Sequence, residues 1–212
     1  MKAGGMAQGV SLRCACGSLR GVASSSSESL GRIVCMCDDC QAYAHYLGRA
    51  TDILDSNGGT DVFPLAPSNL RITHGLENLR CLRLTHKGLF RWYAGCCKTP
   101  IANTMSSAKI PFAGVIHTIM DHSGDGKTRE EALGPIRAKV WGKYGTGNLP
   151  QDAHQTASLG IIIRTIRFLL FAWIRRQHIP SPFFDPATFK PKVEPYILTS
   201  DEREDLRKLG DR

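Results

Sequence analysis

At 212 residues, 42% hydrophobic and 22% charged, the chain is long enough for one domain with a core, or a compact domain plus an extension, and its composition excludes wholesale disorder. The formal charge of +8 is thinly spread: residues 1–120 carry 12 Lys/Arg against 7 Asp/Glu, and residues 121–212 carry 15 against 12. A basic balance attracts anions, but no basic cluster interleaved with aromatics is present, which argues against a nucleic-acid partner.

The first ten residues, MKAGGMAQGV, have no apolar h-region and read as a flexible tail over residues 1–9 rather than a secretory signal. The longest apolar run near the C-terminus, Phe168–Ile174, is far short of the roughly 20 residues of a bilayer span, so no membrane span is expected. A cytoplasmic location follows, and with it reduced thiols rather than disulfides for the eight cysteines.

From Val10 to Thr118 the chain is broken into short segments by Gly, Ser, Asn and Pro, with little helical period. Ser24–Ser27 reads as a loop and Ser56–Thr60 as a turn. Leu70–Thr73 and Leu82–Thr85 alternate apolar and polar residues as half-buried strands do, and His86-Lys87-Gly88 turns the second into Leu89–Tyr93. A helical turn or two is expected over Gln41–Leu47. The fold class is therefore mostly β over residues 10–120.

The character changes near residue 120, where the polar, Gly-rich stretch Asp121–Thr128 marks a boundary and the start of a C-terminal extension, residues 121–212. The best helix in the chain is Ser158–His178. Ile162, Ile166, Leu169, Leu170 and Trp173 follow helical spacing, with Arg164, Arg167, Arg175 and Arg176 among them. Packing of this helix on its own domain is favoured over a membrane-surface or partner-binding role. The Pro-rich arm Pro180–Pro186 follows, of a kind that lies across a domain surface or reaches a neighbouring subunit. The sequence is compatible with an oligomer.

Seven of the eight cysteines fall in three clusters: Cys14 and Cys16; Cys35, Cys37 and Cys40; Cys96 and Cys97. Clustered thiols in a reducing compartment read as metal ligands, and zinc suits thiolates without redox chemistry. A structural zinc takes four protein ligands and a catalytic one takes three, leaving a place for water or substrate. Seven thiols divide accordingly. Cys14, Cys16, Cys96 and Cys97 close one site; Cys35, Cys37 and Cys40 supply a second, giving two zinc ions per chain. Cys81 reads as core, and Cys81, His74 and His86 are alternative donors to the first site. Asp38 and Asp39 read as solvated loop acids, with a proton-shuttle role as the alternative. His45, flanked by Tyr43 and Tyr46, is a weak candidate acid/base or fourth ligand.

At these residues the chain resembles the glutathione-dependent formaldehyde-activating family, which includes centromere protein V. That family's pattern runs CxCG, then CxCxxC, then a hairpin ending in CxxCG-T-P. Here the elements are Cys14-Ala15-Cys16-Gly17, Cys35-Met36-Cys37-Asp38-Asp39-Cys40 and Ala94-Gly95-Cys96-Cys97-Lys98-Thr99-Pro100, and the resemblance covers roughly residues 10–118. The third element departs from the pattern: Ala94 stands where the first cysteine belongs, Cys96 is its substitute, and Lys98 replaces the usual Gly. Adjacent residues of a strand point to opposite faces, so Cys96 and Cys97 share an ion only if the backbone turns, and Gly95 is the expected turning point.

The resemblance implies a β-tent fold of short antiparallel strands around the zinc sites; the C-terminal helix and extended arm after residue 120 lie outside the shared pattern. It further implies that Cys35, Cys37 and Cys40 are ligands of a catalytic zinc. The implied activity is a carbon–sulfur lyase acting on a thiol adduct such as a glutathione conjugate, as in S-hydroxymethylglutathione synthesis. Arg91 and Lys98 bracket the second cysteine cluster and are candidates for glutathione carboxylates. The rival reading is a zinc-stabilised binding module without turnover, serving nucleic acid or protein.

Overall fold

The computed structural model describes residues 9–24, 29–122 and 126–210. The tail expected over residues 1–9 and most of the Ser24–Ser27 loop lie outside the described residues; Gly9 and Ser24 themselves belong to strands. In chain order the elements are β1 (Gly9–Arg13), β2 (Arg20–Ser24), β3 (Arg32–Cys35), α1 (Asp38–Tyr46), α2 (Ala50–Ile53), β4 (Thr60–Leu65), β5 (Leu70–His74), β6 (Leu79–Arg83) and β7 (Phe90–Ala94). There follow β8 (Thr99–Thr104), β9 (Ala113–Ile116), β10 (Met120–Asp121), α3 (Arg129–Leu133), β11 (Ile136–Val140), α4 (Leu159–Ile174), β12 (Tyr196–Ile197) and α5 (Ser200–Gly210).

The strands form two sheets. The smaller has the order β10-β1-β2-β5 and the larger β11-β3-β4-β9-β8-β7-β6-β12. In β1 the alternation is visible in burial, with Val10 and Leu12 inside and Gly9, Ser11 and Arg13 outside. The central strands β4 and β8 are buried at every position, so neither shows alternation in its sequence. Pro64 sits in β4 without breaking the sheet. Strand β3 pairs only as far as Val62, so Pro64 faces a partner strand on one side alone.

Two features depart from the sequence expectation. The strands are antiparallel except at the edges of the large sheet, where β11 runs parallel to β3 and β12 parallel to β6. Both edge strands come from beyond residue 120, and the long return each needs explains the parallel sense. Secondly, α1 begins at Asp38, inside the cysteine motif rather than after it, with Asp38 and Asp39 in its first turn where the helix dipole favours carboxylates.

The core centres on Trp92, which is fully buried and donates from Nε1 to Thr104 Oγ1 at 2.9 Å. The Pro-rich arm enters this core. Phe183 stacks on Trp92 at 4.9 Å between ring centroids, and Phe184 packs edge-on against Trp92 and Phe90 at 5.5 and 5.4 Å. A second cluster joins Tyr43, Leu47 and Leu82 to Leu198 and Leu206 near the C-terminus. Residues 121–210 thus contribute sheet edges and core side chains to the same body as residues 10–120.

Candidate metal centres

The loop after β1 folds tightly: Gly17 N–H donates to Cys14 O at 2.8 Å, and Cys14 N–H to Leu19 O at 3.0 Å. Gly17 takes the left-handed conformation, φ +75°, that this turn requires. Opposite stands the β7–β8 hairpin turn, and Ala15 N–H donates to Thr99 Oγ1 at 3.0 Å to tie the two together.

The sulfurs of Cys14, Cys16, Cys96 and Cys97 converge between these turns, all within 4.8 Å of one another. Cys14–Cys16, Cys14–Cys96, Cys16–Cys96 and Cys96–Cys97 are 3.6, 3.8, 3.3 and 3.8 Å apart. Four thiolates at a zinc–sulfur distance of ~2.3 Å stand about 3.8 Å apart on the edges of a tetrahedron, so this donor set fits such an ion. Cys96 therefore joins Cys97 in one group. The strand ends at Ala94, and residues 95–98 form a turn. The left-handed residue in it is Lys98, at φ +55°, and not Gly95. Gly95 is needed for space instead: a Cβ there would lie 2.8 Å from Arg80 Cγ and 3.3 Å from Asn78 O.

Charge within this group is uneven. Hydrogen bonds from the Ser18 side chain and backbone lower the Cys16 thiol to about 6. Burial raises Cys14, and burial together with Cys16 pushes Cys96 up to about 12. For Cys97 burial acts upward, but hydrogen bonding to Thr99 and to backbone outweighs it and the thiol is lowered. Thiols this close do not all ionise without a cation among them.

Cys35 ends β3, Cys37 precedes α1, and Cys40 lies in the first helical turn, so one change from strand to helix wraps three sulfurs around one point. Cys40 and Gln41 N–H both donate to Cys37 O, at 3.0 and 3.2 Å. The Gln41 side chain donates to Met36 O at 2.9 Å, and Met36 N–H reaches across to Val140 O at 3.0 Å, which fixes the motif against β11. Cys35–Cys37 and Cys35–Cys40 sulfurs are 3.4 and 3.8 Å apart, and all three lie within 4.8 Å of one another. Among the described residues no other Cys, His, Asp or Glu ligand atom joins them.

Arg91 also stands at this group, where no spacing in the sequence points to it. It was expected beside the Cys96–Cys97 cluster; strand β7 turns it instead toward α1. Its guanidinium is buried, with Nη1 3.9 Å from Cys40 Sγ and the cation over the Tyr43 ring at 5.3 Å. Hydrogen bonds from Cys35 and Cys37, helped by Arg91, hold Cys40 well below the ordinary thiol range, while the contacts of Cys35 with Cys37 and Cys40, together with burial, hold Cys35 well above it.

Asp38 and Asp39 stand on a helix rather than a loop, half-exposed and ion-paired. Arg207 of α5 reaches Asp38 Oδ2 at 2.7 Å and Asp39 Oδ1 at 3.5 Å, and Arg91 reaches Asp39 Oδ2 at 3.8 Å. A cleft of about 400 Å³ runs along the same helix, lined by Asp38, Gln41, Lys143, Tyr144, Thr146 and Arg207. Cys81, in the middle of β6, is buried in the core, as expected of a non-ligand. His74 Nδ1 pairs with Thr73 Oγ1, and His74, His86 and His45 fall outside both thiol groups.

No helix is long and apolar enough to cross a membrane among the described residues. Comparison with curated proteins finds no match. A family model matches residues 6–194, a span that takes in both cysteine groups, Arg91 and the Phe183–Phe184 pair and stops short of α5. On that match the chain belongs to DUF6151, a family of unknown function.

Proposed function

We propose that both cysteine groups hold zinc, the four-thiol group as a structural closure and the three-thiol group as the seat of a catalytic ion. The protein is then a zinc-dependent carbon–sulfur lyase acting in the cytoplasm on a glutathione or other thiol adduct, similar to S-hydroxymethylglutathione synthase. One observation carries the reading: Cys35, Cys37 and Cys40 gather with no fourth ligand atom among the described residues. Three protein ligands are the mark of a zinc site that keeps a position for substrate. The resemblance to the glutathione-dependent formaldehyde-activating family at Cys14–Gly17, Cys35–Cys40 and Cys96–Pro100 supports the same assignment.

Bound there, zinc supplies a Lewis acid and a position at which a thiol is held as thiolate at neutral pH. The rest falls to the chain. Arg91 offsets the negative charge of the three thiolates. Asp39, held between Arg91 and Arg207, is placed to take or return a proton at a substrate hydroxyl. Lys143 and Arg207 on the adjoining cleft offer cations to substrate carboxylates.

Metal analysis of the purified protein and exchange spectroscopy of formaldehyde with glutathione test this together. Two zinc ions per chain and faster adduct formation, lost in Cys37→Ser, are expected. One ion or none removes the two-site division. Two ions without acceleration, with any common thiol, leave a non-catalytic zinc-stabilised binding module.

A further inference from the structure

Helix α4 is apolar on two opposite faces. Ile161, Phe168 and Ala172 face inward, and Phe168 and Ala172 pack against Leu30 and Ala66. Yet Ile162, Ile163, Ile166, Leu170, Trp173 and Ile174 are between 42% and 63% exposed. At 3.6 residues per turn these six fall within an arc of about 120° opposite Phe168. The helix packs on its own domain through a narrow stripe only, and the expectation that such packing accounts for its apolar residues is corrected accordingly. An exposed apolar patch this continuous marks an interaction surface.

Charge says what covers it. Arg167 borders the arc, Arg164 and Arg175 lie further round on the same side toward Phe168, Arg176 follows at the helix end, and all four are exposed. No Asp or Glu occurs between Asp152 and Asp185. A second copy laid helix to helix would bring arginines to a surface that offers them no carboxylate. An anionic bilayer offers an acyl boundary to the apolar arc and phosphates to the arginines, whose stems lie along apolar surface while their heads reach outward. The helix has 16 residues, about 24 Å at 1.5 Å per residue, which is too short to cross a ~30 Å hydrocarbon layer.

We propose that α4 is a membrane-surface anchor that lies flat on an anionic phospholipid bilayer, outward apolar arc down and arginine flank at the phosphates. The surface is separate from both cysteine groups, and its occupancy does not depend on any activity there.

The test is co-sedimentation of the full-length, metal-loaded chain with vesicles of phosphatidylcholine alone and with about 30% phosphatidylserine. Binding is expected only to the anionic vesicles, weakening with salt. Trp173 fluorescence should shift to the blue on binding, whereas Trp92 is already fully buried; Trp173→Phe should remove the shift and keep the binding. Ile166→Glu with Leu170→Glu should abolish binding. Arg164→Gln with Arg167→Gln should weaken it about fivefold for each arginine removed. Unchanged circular dichroism and metal content establish that these surface variants are folded. Absence of binding to either vesicle, or equal binding to both, overturns the proposal. So does a stable dimer in sedimentation velocity that the glutamate variant dissociates, which would give the face to a second copy.

Discussion

Arg91 Nη1 lies 3.9 Å from the sulfur of Cys40, and both residues are buried. A three-thiolate site carries a net negative charge even with a divalent ion bound, and in a low-dielectric setting a nearby cation counts for more than it does in water. Replacing Arg91 by Met, which keeps much of the volume, is expected to weaken zinc binding at this group by 10- to 100-fold, the order typical of lost outer contacts to metal ligands. On the proposed assignment of one zinc ion to each group, chelator competition should show one of the two released early. Release of both together would place the effect on the fold instead.

The two thiol groups differ in what they hold together. Cys14 and Cys96 are 82 positions apart and join the small sheet to the β7–β8 hairpin of the large one, whereas Cys35, Cys37 and Cys40 lie within one local turn. Cys16→Ser is therefore expected to destabilise the protein by about 3 kcal/mol or more, a fall in melting temperature of roughly 6–12 °C for a chain of this size. Cys37→Ser should lose one metal ion with a much smaller fall. Thermal denaturation with metal analysis distinguishes them, and equal falls would remove the structural distinction between the groups.

Lys98 occupies the left-handed region at φ +55° in the turn that brings Cys96 and Cys97 together. That conformation costs a non-glycine residue about 1–2 kcal/mol, of which glycine's greater freedom in the unfolded chain takes back about 0.5–1. Lys98→Gly should stabilise the protein by about 0.5–1 kcal/mol, read as a rise in melting temperature of roughly 1–4 °C. A fall would mean the Lys98 side chain contributes more than its backbone costs.

His117 titrates below its ordinary 6.5, first because it is buried and then because Arg129 lies near, with Asp61 pulling less strongly the other way. Its Nδ1 sits 3.3 Å from Asp61 O. As pH falls through 6.5 the unfolded imidazole takes up a proton that the folded one refuses, so stability drops over that window and levels off below the folded value. His117→Gln should flatten this dependence in denaturant titrations between about pH 5 and pH 7. Burial lowers His178 in the same sense, so a residual slope should remain. An unaltered slope would place the dependence elsewhere.

The sequence shows what is local and hides what depends on strand pairing. CxC and CxCxxC spacings place donors on single turns, so Cys14 with Cys16, and Cys35 with Cys37 and Cys40, group without coordinates, whereas the place of Cys96 depends on the turn after β7 and left Cys81, His74 and His86 open as donors. Alternation exposed β5, but β4 and β8 are buried on both faces and carry no period to read. Arg91 looked like a neighbour of Cys96 because it is five positions away; the pairing of β7 in the large sheet decides that it faces Cys40 instead. Arg207 is 168 positions from Asp39, and no spacing rule connects them. The two-residue strand β12 is too short for any pattern, and the Pro180–Pro186 arm read as a surface strap although its two phenylalanines are core residues.

Phe183 against Trp92 also sets an order of assembly during synthesis. All four cysteines of the first group have been made once Cys97 is joined to the chain, and Phe90 already lies beside Trp92, but Phe183, whose ring stacks on Trp92 at 4.9 Å, follows only 86 residues after Cys97. At 5–20 residues per second that interval is roughly 4–17 s. For those seconds the nascent chain holds the complete set of four thiols while the face of Trp92 that Phe183 will cover stays open, a window in which a ribosome-bound chaperone has something to grip.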